Sequence, residues 1–202
     1  MGTARSKSLR LALAASILAS CIGCDQATKQ LATRTLKDAP ARSYLGDTFR
    51  LEFAHNPGGF LSLGSDLSAE ARTAIFVILN SVFMLLVLGY LIVNWRSRLA
   101  VFVPLAFLLA GGLGNLIDRT TQNGLVTDFI NVGVGPLRTG VFNVADMAVM
   151  FSAIALVFTI QGGKGSKDGG DAESKAGKAD GAVKESASRR RSCRSGTLRG
   201  WR

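Results

Sequence analysis

Ala74–Trp95 reads AIFVILNSVFMLLVLGYLIVNW, twenty-two residues without a formal charge. At about 1.5 Å of rise per residue, a helix of that length crosses a hydrocarbon core of roughly 30 Å. Two further spans lie downstream. Leu99–Ile117 (LAVFVPLAFLLAGGLGNLI) holds nineteen uncharged residues, and Phe142–Ile160 (FNVADMAVMFSAIALVFTI) holds nineteen with one acid, Asp146. Upstream, Leu11–Cys24 is uncharged for fourteen residues and reaches spanning length if Asp25 and its neighbours lie at the far membrane face. The fold expected is an all-α membrane core of four transmembrane helices.

The whole chain has 202 residues, is 48% hydrophobic and carries a formal charge of +10. Such an excess of cation ordinarily points to nucleic acid. Here it is unevenly placed, with eleven basic and five acidic residues in 162–202 against thirteen and nine in 1–161. Residues 1–161 therefore form the membrane domain, and no nucleic-acid partner is expected. The stretch 162–202, rich in Gly, Ser, Lys and Asp, cannot bury a core and is expected to be a disordered basic tail. Three Cys and one His, His55, exclude a disulfide framework and argue against a protein-built zinc site.

Lys and Arg set the orientation. Arg5, Lys7 and Arg10 precede the first span, Arg96 and Arg98 crowd the link between the second and third, and the basic tail follows the fourth. Four crossings put all three places on one side, the cytoplasm, with both termini there. Residues 26–72 and 119–140 then face outward. Alternating pieces such as Phe49–Phe53 (FRLEF) predict strands, so a small β-cradle is expected within about 30–72. A rival reading exists for the first segment. Leu18-Ala19-Ser20-Cys21 has the form of the box at which bacterial lipoproteins are lipid-modified and cut. Cleavage there would leave three crossings, against the charge distribution, so the four-span reading is kept.

A carboxylate within a membrane helix costs roughly 2.5–3.5 kcal/mol on insertion scales, which makes each one a functional candidate. Asp146 stands near the outer end of the last span, with Asn143 one turn before it. The third span ends in Gly111-Gly112-Leu113-Gly114-Asn115-Leu116-Ile117-Asp118-Arg119, where Gly111, Asn115, Asp118 and Arg119 share a face and the glycines admit a neighbouring helix. One span runs outward and the other inward, so the two polar clusters lie at the same depth. Between them Asp128 is a lone acid in Val126-Thr127-Asp128-Phe129-Ile130, a segment expected to pack down on the helices. Asp25 and Lys29 stand one turn apart at the exit of the first span, and His55-Asn56-Pro57-Gly58-Gly59-Phe60 reads as a turn carrying an amide.

Nucleophilic triads lack parts in this set. Paired aspartates remain: two close carboxyls cannot both ionise readily, so one holds a raised pKa and a proton is shared. The ionised member takes a proton from water while the neutral one donates to a substrate carbonyl, which is aspartic-protease chemistry without a cofactor or metal. Asp118 competes for a place in the pair, although its neighbour Arg119 suggests an ion pair and a structural role. A different class of reading is a small multi-pass transporter or ion-binding membrane protein, whose acids would relay protons or bind a cation.

The segments D-Q-A-T-K (25–29), N-P-G-G-F (56–60), G-N-L-I-D-R (114–119), V-T-D-F (126–129) and F-N-V-A-D (142–146) resemble, in order, the motif set of the bacterial lipoprotein signal peptidase family, signal peptidase II. The resemblance covers most of residues 9–160. It implies an intramembrane aspartic endopeptidase of the bacterial inner membrane, acting as a monomer among membrane lipids with its active site near the extracytoplasmic face. Its substrates would be prolipoproteins, cut just before a diacylglyceryl-modified cysteine, and globomycin would inhibit it. By the same resemblance Asp128 and Asp146 would be the catalytic acids, and Asp25, Lys29, Asn56, Gly58, Asn115, Arg119 and Asn143 would shape the pocket or hold substrate and dyad. The Asn-Pro-Gly-Gly-Phe segment departs from the family's usual Asn-x-Gly-Ala-Ala-Phe, and the basic tail is longer than members typically carry.

Overall fold

An apolar helix continues until its backbone meets a breaker or a better partner. In the computed structural model, which describes residues 2–58 and 68–161, helix α1 runs Gly2–Leu36, α2 Ala69–Val93, α3 Leu99–Thr121 and α4 Val144–Gln161. All four contain stretches long and apolar enough to cross a membrane. Exposed Ile78, Leu79, Val82, Leu85 and Leu86 give α2 an apolar outer surface suited to lipid. The chain divides into two units, Met1–Leu156 and Val157–Arg202. Of the second, the described residues are the last of α4, so the expected disordered tail lies outside the described residues, as do Gly59 and Phe60.

The first helix is longer than its uncharged run. Its 35 residues span about 52 Å, so Asp25 and Lys29 sit inside it rather than at its exit. From Asp25 to Ala39 the sequence has no Gly or Pro. Thr28, Thr33 and Thr35 donate their hydroxyls back to carbonyls of the preceding turn, those of Cys24, Lys29 and Leu31, at 2.8 Å each, which satisfies them in place.

Strands β1 (Arg42–Tyr44), β2 (Phe49–Asn56), β3 (Val126–Val134) and β4 (Leu137–Arg138) form one antiparallel sheet in the order β1-β2-β3-β4. Half of the cradle therefore comes from 126–138, beyond the 30–72 expected. The segment around Asp128 is an inner strand of the sheet. Register runs from Leu51 opposite Ile130 to Ala54 opposite Asp128, with a bulge between Leu51 and Ala54. Bulges of this kind re-aim side chains beside functional sites. Phe142 then bridges to Ile130, with Phe142 N donating to Ile130 O (2.8 Å) and Ile130 N donating back (2.9 Å). That short pairing brings the start of α4 against β3.

Met84, Val87 and Leu91 of α2 pack with Phe102, Leu105, Leu108 and Leu109 of α3 to make the larger apolar core. The Gly111–Gly114 stretch is the hub of the bundle. A Cβ on Gly111 would lie 2.5 Å from Ala145 O of α4, one on Gly112 would lie 2.1 Å from Met84 Sδ of α2, and one on Gly114 would lie 2.8 Å from Asp25 Oδ2 of α1. The three glycines thus let α3 touch three helices within one turn.

Candidate active site

The hub sets the polar residues of α1, α3 and α4 at one end of the bundle. Lys29 is 3% exposed and lies 2.8 Å from Asp25 Oδ2 and 3.0 Å from Asp118 Oδ2, whose side chains are 0% and 1% exposed. Buried charges require such pairing and full hydrogen bonding, and both acids have it. Asp25 Oδ1 accepts from Ala145 N at 2.9 Å. Asp118 accepts from Gln26 Nε2 at 2.8 Å and Thr127 N at 3.1 Å.

Arg119, by contrast, is not the partner of Asp118 that their adjacency suggested. Successive helical residues diverge by about 100°, and Arg119 points to a different side. Its guanidinium lies 5.9 Å from the centroid of the Phe76 ring, and its Nε is buried without a hydrogen-bond partner among the described residues. With Asn115 and Asp146 it lines a cavity of about 270 Å3 whose other walls include Phe76, Asn80 and Phe83 of α2. Through Thr127 N, Asp118 holds the backbone one residue before Asp128.

Asn143 organises the centre. It caps α4: its Oδ1 accepts from Asp146 N (2.9 Å) while its own N donates to Asp146 Oδ2 (3.2 Å), a reciprocal capping arrangement. The same side chain turns its amide nitrogen to Asp128 Oδ1 (2.6 Å) and Asn115 Oδ1 (3.1 Å). Asn115 Nδ2 donates to Asp146 Oδ1 (2.8 Å), and Lys29 Nζ donates to Asn115 Oδ1 (3.0 Å). Lys29 and Asn143 leave the Asn115 amide one orientation, with its nitrogen toward Asp146.

Asp128 is 1% exposed and takes its second hydrogen bond from Asn56 Nδ2 at 3.0 Å. Gly58 serves that residue, not the acid. Its N–H donates to Asn56 Oδ1 (2.8 Å), and its φ of +89° with Phe76 Cδ2 only 2.8 Å from any added Cβ leaves no room for a side chain. Burial first, and the negative charge of Asp146 second, push the Asp128 carboxyl up to about 6, against the bonds from Asn56 and Asn143 and the charge of Lys29. A carboxyl so raised holds its proton to higher pH than an ordinary aspartate, while its neighbour borders the cavity.

The structure thus gathers Asp25, Lys29, Asn56, Asn115, Asp128, Asn143 and Asp146 into one connected network, with Gly58 behind Asn56 and Arg119 on the cavity wall. Sequence reasoning gave no role to Gln26, Thr127 or Phe76. Gln26 lies one position from Asp25 inside a quoted segment, but nothing in its type announced a bond to residue 118.

Fold and site define a multi-pass membrane protein with a buried carboxylate centre at one end of its helices. The family model described as signal peptidase (SPase) II matches residues 17–161. The chain is 32% identical over 152 residues to the lipoprotein signal peptidase of Desulforapulum autotrophicum, covering 75% of this chain and 91% of that one. It is 31% identical over 139 residues to that of Moorella thermoacetica, covering 69% and 86%. A solved bacterial membrane enzyme has the same fold, with a TM-score of 0.66 at 23% identity over 74% of this chain and 92% of that one. The chain belongs to the signal peptidase II family, and is thereby a protease of the multi-pass membrane kind.

Proposed function

We propose that the chain removes signal peptides from prolipoproteins by an aspartic mechanism, cutting just before a diacylglyceryl-modified cysteine, with Asp128 and Asp146 as the catalytic pair. The observation that carries this reading is the double grip of Asn143, which caps the turn holding Asp146 and donates to Asp128 with the same side chain. Two carboxylates, one from a strand and one from a helix, are thereby held by a single residue. Asp128, buried and raised toward about 6, serves as the acid that donates to the scissile carbonyl oxygen. Asp146, on the cavity wall, serves as the base that takes a proton from the attacking water. The tetrahedral centre then collapses, the C–N bond breaks, and the departing amine leaves with a proton from the pair.

The orientation follows from the basic residues at the opposite end of the bundle, which set that end in the cytoplasm of the bacterial inner membrane and the site near the outer face. A transporter would keep its acids near mid-bilayer, whereas Asp146 stands in the first turn of α4 and Asp118 in the last turn of α3. Incubating purified protein with a lipidated precursor peptide tests the reading. The expected product begins at the modified cysteine, and globomycin blocks its formation. Ion flux in liposomes without any proteolysis would overturn it.

A further inference from the structure

The basic end of the helices holds a cavity that the peptide chemistry does not use. It lies between α1 and the link from α2 to α3, has a volume of about 840 Å3, and is lined by Lys7, Leu11, Ile92, Trp95, Arg96 and Ser97 among others. Its wall is fixed. Arg10 Nη1 donates to Trp95 O (2.5 Å) and Ser97 O (2.8 Å), which ties the link to α1. The Arg10 guanidinium also lies 5.6 Å from the centroid of the Phe102 ring, against which Trp95 stands edge-on at 5.5 Å.

The lining includes two cations and no acid. The stretches of chain around it, 2–24 and 85–104, contain no Asp or Glu. Ser97 Oγ, on the same wall, is buried without a hydrogen-bond partner among the described residues, so an acceptor entering the cavity would satisfy it. Leu11 stands one helical turn inward of Lys7, and Ile92 stands about one turn inward of Arg96. Both are exposed. The cavity therefore grades from cationic to apolar along the direction of the bilayer normal. A free phosphate would use only its basic half and an acidic peptide would leave its apolar half bare, whereas an amphiphile fits both.

We propose that this cavity binds an anionic phospholipid, its phosphate held by Lys7, Arg96 and the Ser97 hydroxyl and an acyl chain lying along Leu11 and Ile92. Basic pockets between membrane helices recognise such headgroups. This site is independent of the catalytic reading.

Trp95 and Trp201 are the two tryptophans of the chain, so Trp201→Phe isolates a reporter on the cavity wall. The full-length protein is placed in phosphatidylcholine vesicles containing increasing amounts of phosphatidylglycerol brominated near the top of one acyl chain. A matched series uses brominated phosphatidylcholine. A basic residue near a membrane surface favours anionic lipid by roughly fivefold, so brominated phosphatidylglycerol reaches half-maximal quenching of Trp95 at a several-fold lower mole fraction. On the same background K7Q/R96Q brings the two curves together, and inorganic phosphate at matched ionic strength leaves the preference in place. Coincident curves before the substitutions overturn the proposal without reference to any variant's folding. So does a preference that survives K7Q/R96Q, or one that inorganic phosphate abolishes.

Discussion

Lys29→Met removes the one cation between two buried carboxylates. Its ammonium lies 2.8 Å from Asp25 and 3.0 Å from Asp118. At an effective dielectric of about 20, each pair is worth roughly 5–6 kcal/mol of gross attraction. Burying three ions costs several kcal/mol apiece, so the intact network contributes little net stability. Removing one partner is different, because two like charges remain buried and uncompensated, and the loss expected is about 3–5 kcal/mol. Thermal unfolding of purified protein in detergent, followed by circular dichroism, reads it. The companion variant Lys29→Met, Asp25→Asn, Asp118→Asn keeps acceptor oxygens for Ala145 N and Thr127 N and removes the charge, so it recovers a large part of the loss. A loss below about 1 kcal/mol, or no recovery in the triple variant, refutes the charge argument.

Asn56→Ala removes a donor that favours the ionised form of Asp128. The Asp128 pKa then rises above about 6, and the alkaline limb of kcat/KM moves to higher pH by about one unit; a pH–rate series showing it fixed or lower contradicts this. Gly111→Ala drives a methyl to within 2.5 Å of Ala145 O and costs about 1–3 kcal/mol in melting experiments. Gly23→Ala, with nothing within 4 Å of the new carbon, gains up to about 1 kcal/mol from helix propensity; equal effects at the two glycines contradict the packing account. Asp118→Asn keeps a larger share of cleavage activity than Asp128→Asn or Asp146→Asn, since its amide oxygen still accepts from Thr127 N; an equally deep loss places Asp118 in the chemistry.

The spans were legible because length and absence of charge are local properties. Ala74–Trp95 and Leu99–Ile117 fall on α2 and α3 within a few residues at each end. Helix α1 was read too short because its polar turn is paid for by Asp118, a residue distant in the chain that no local pattern indicates. The start of α4 moved from Phe142 to Val144 because Asn143 takes the capping conformation and Phe142 joins the sheet. The segment around Asp128 gives no strand signal of its own because its partner β2 lies some seventy residues upstream. At the site, residue types and motif order singled out side chains that the fold brings into one network, yet not their wiring. Asp118 binds Lys29 instead of its neighbour Arg119, and the Gly58 N–H donates to Asn56. The first depends on side-chain direction and on a contact between helices, which spacing along one chain does not encode, and the second on the local path of a turn.

Two carboxylates acting together are the core of the proposed mechanism. Cleavage of a lipidated prolipoprotein peptide by Asp128→Asn and by Asp146→Asn, each confirmed to be folded by its melting temperature, tests it most directly. Each substitution lowers the rate by about 10²–10⁴-fold or more while globomycin binding persists. Wild-type turnover in either variant contradicts the account.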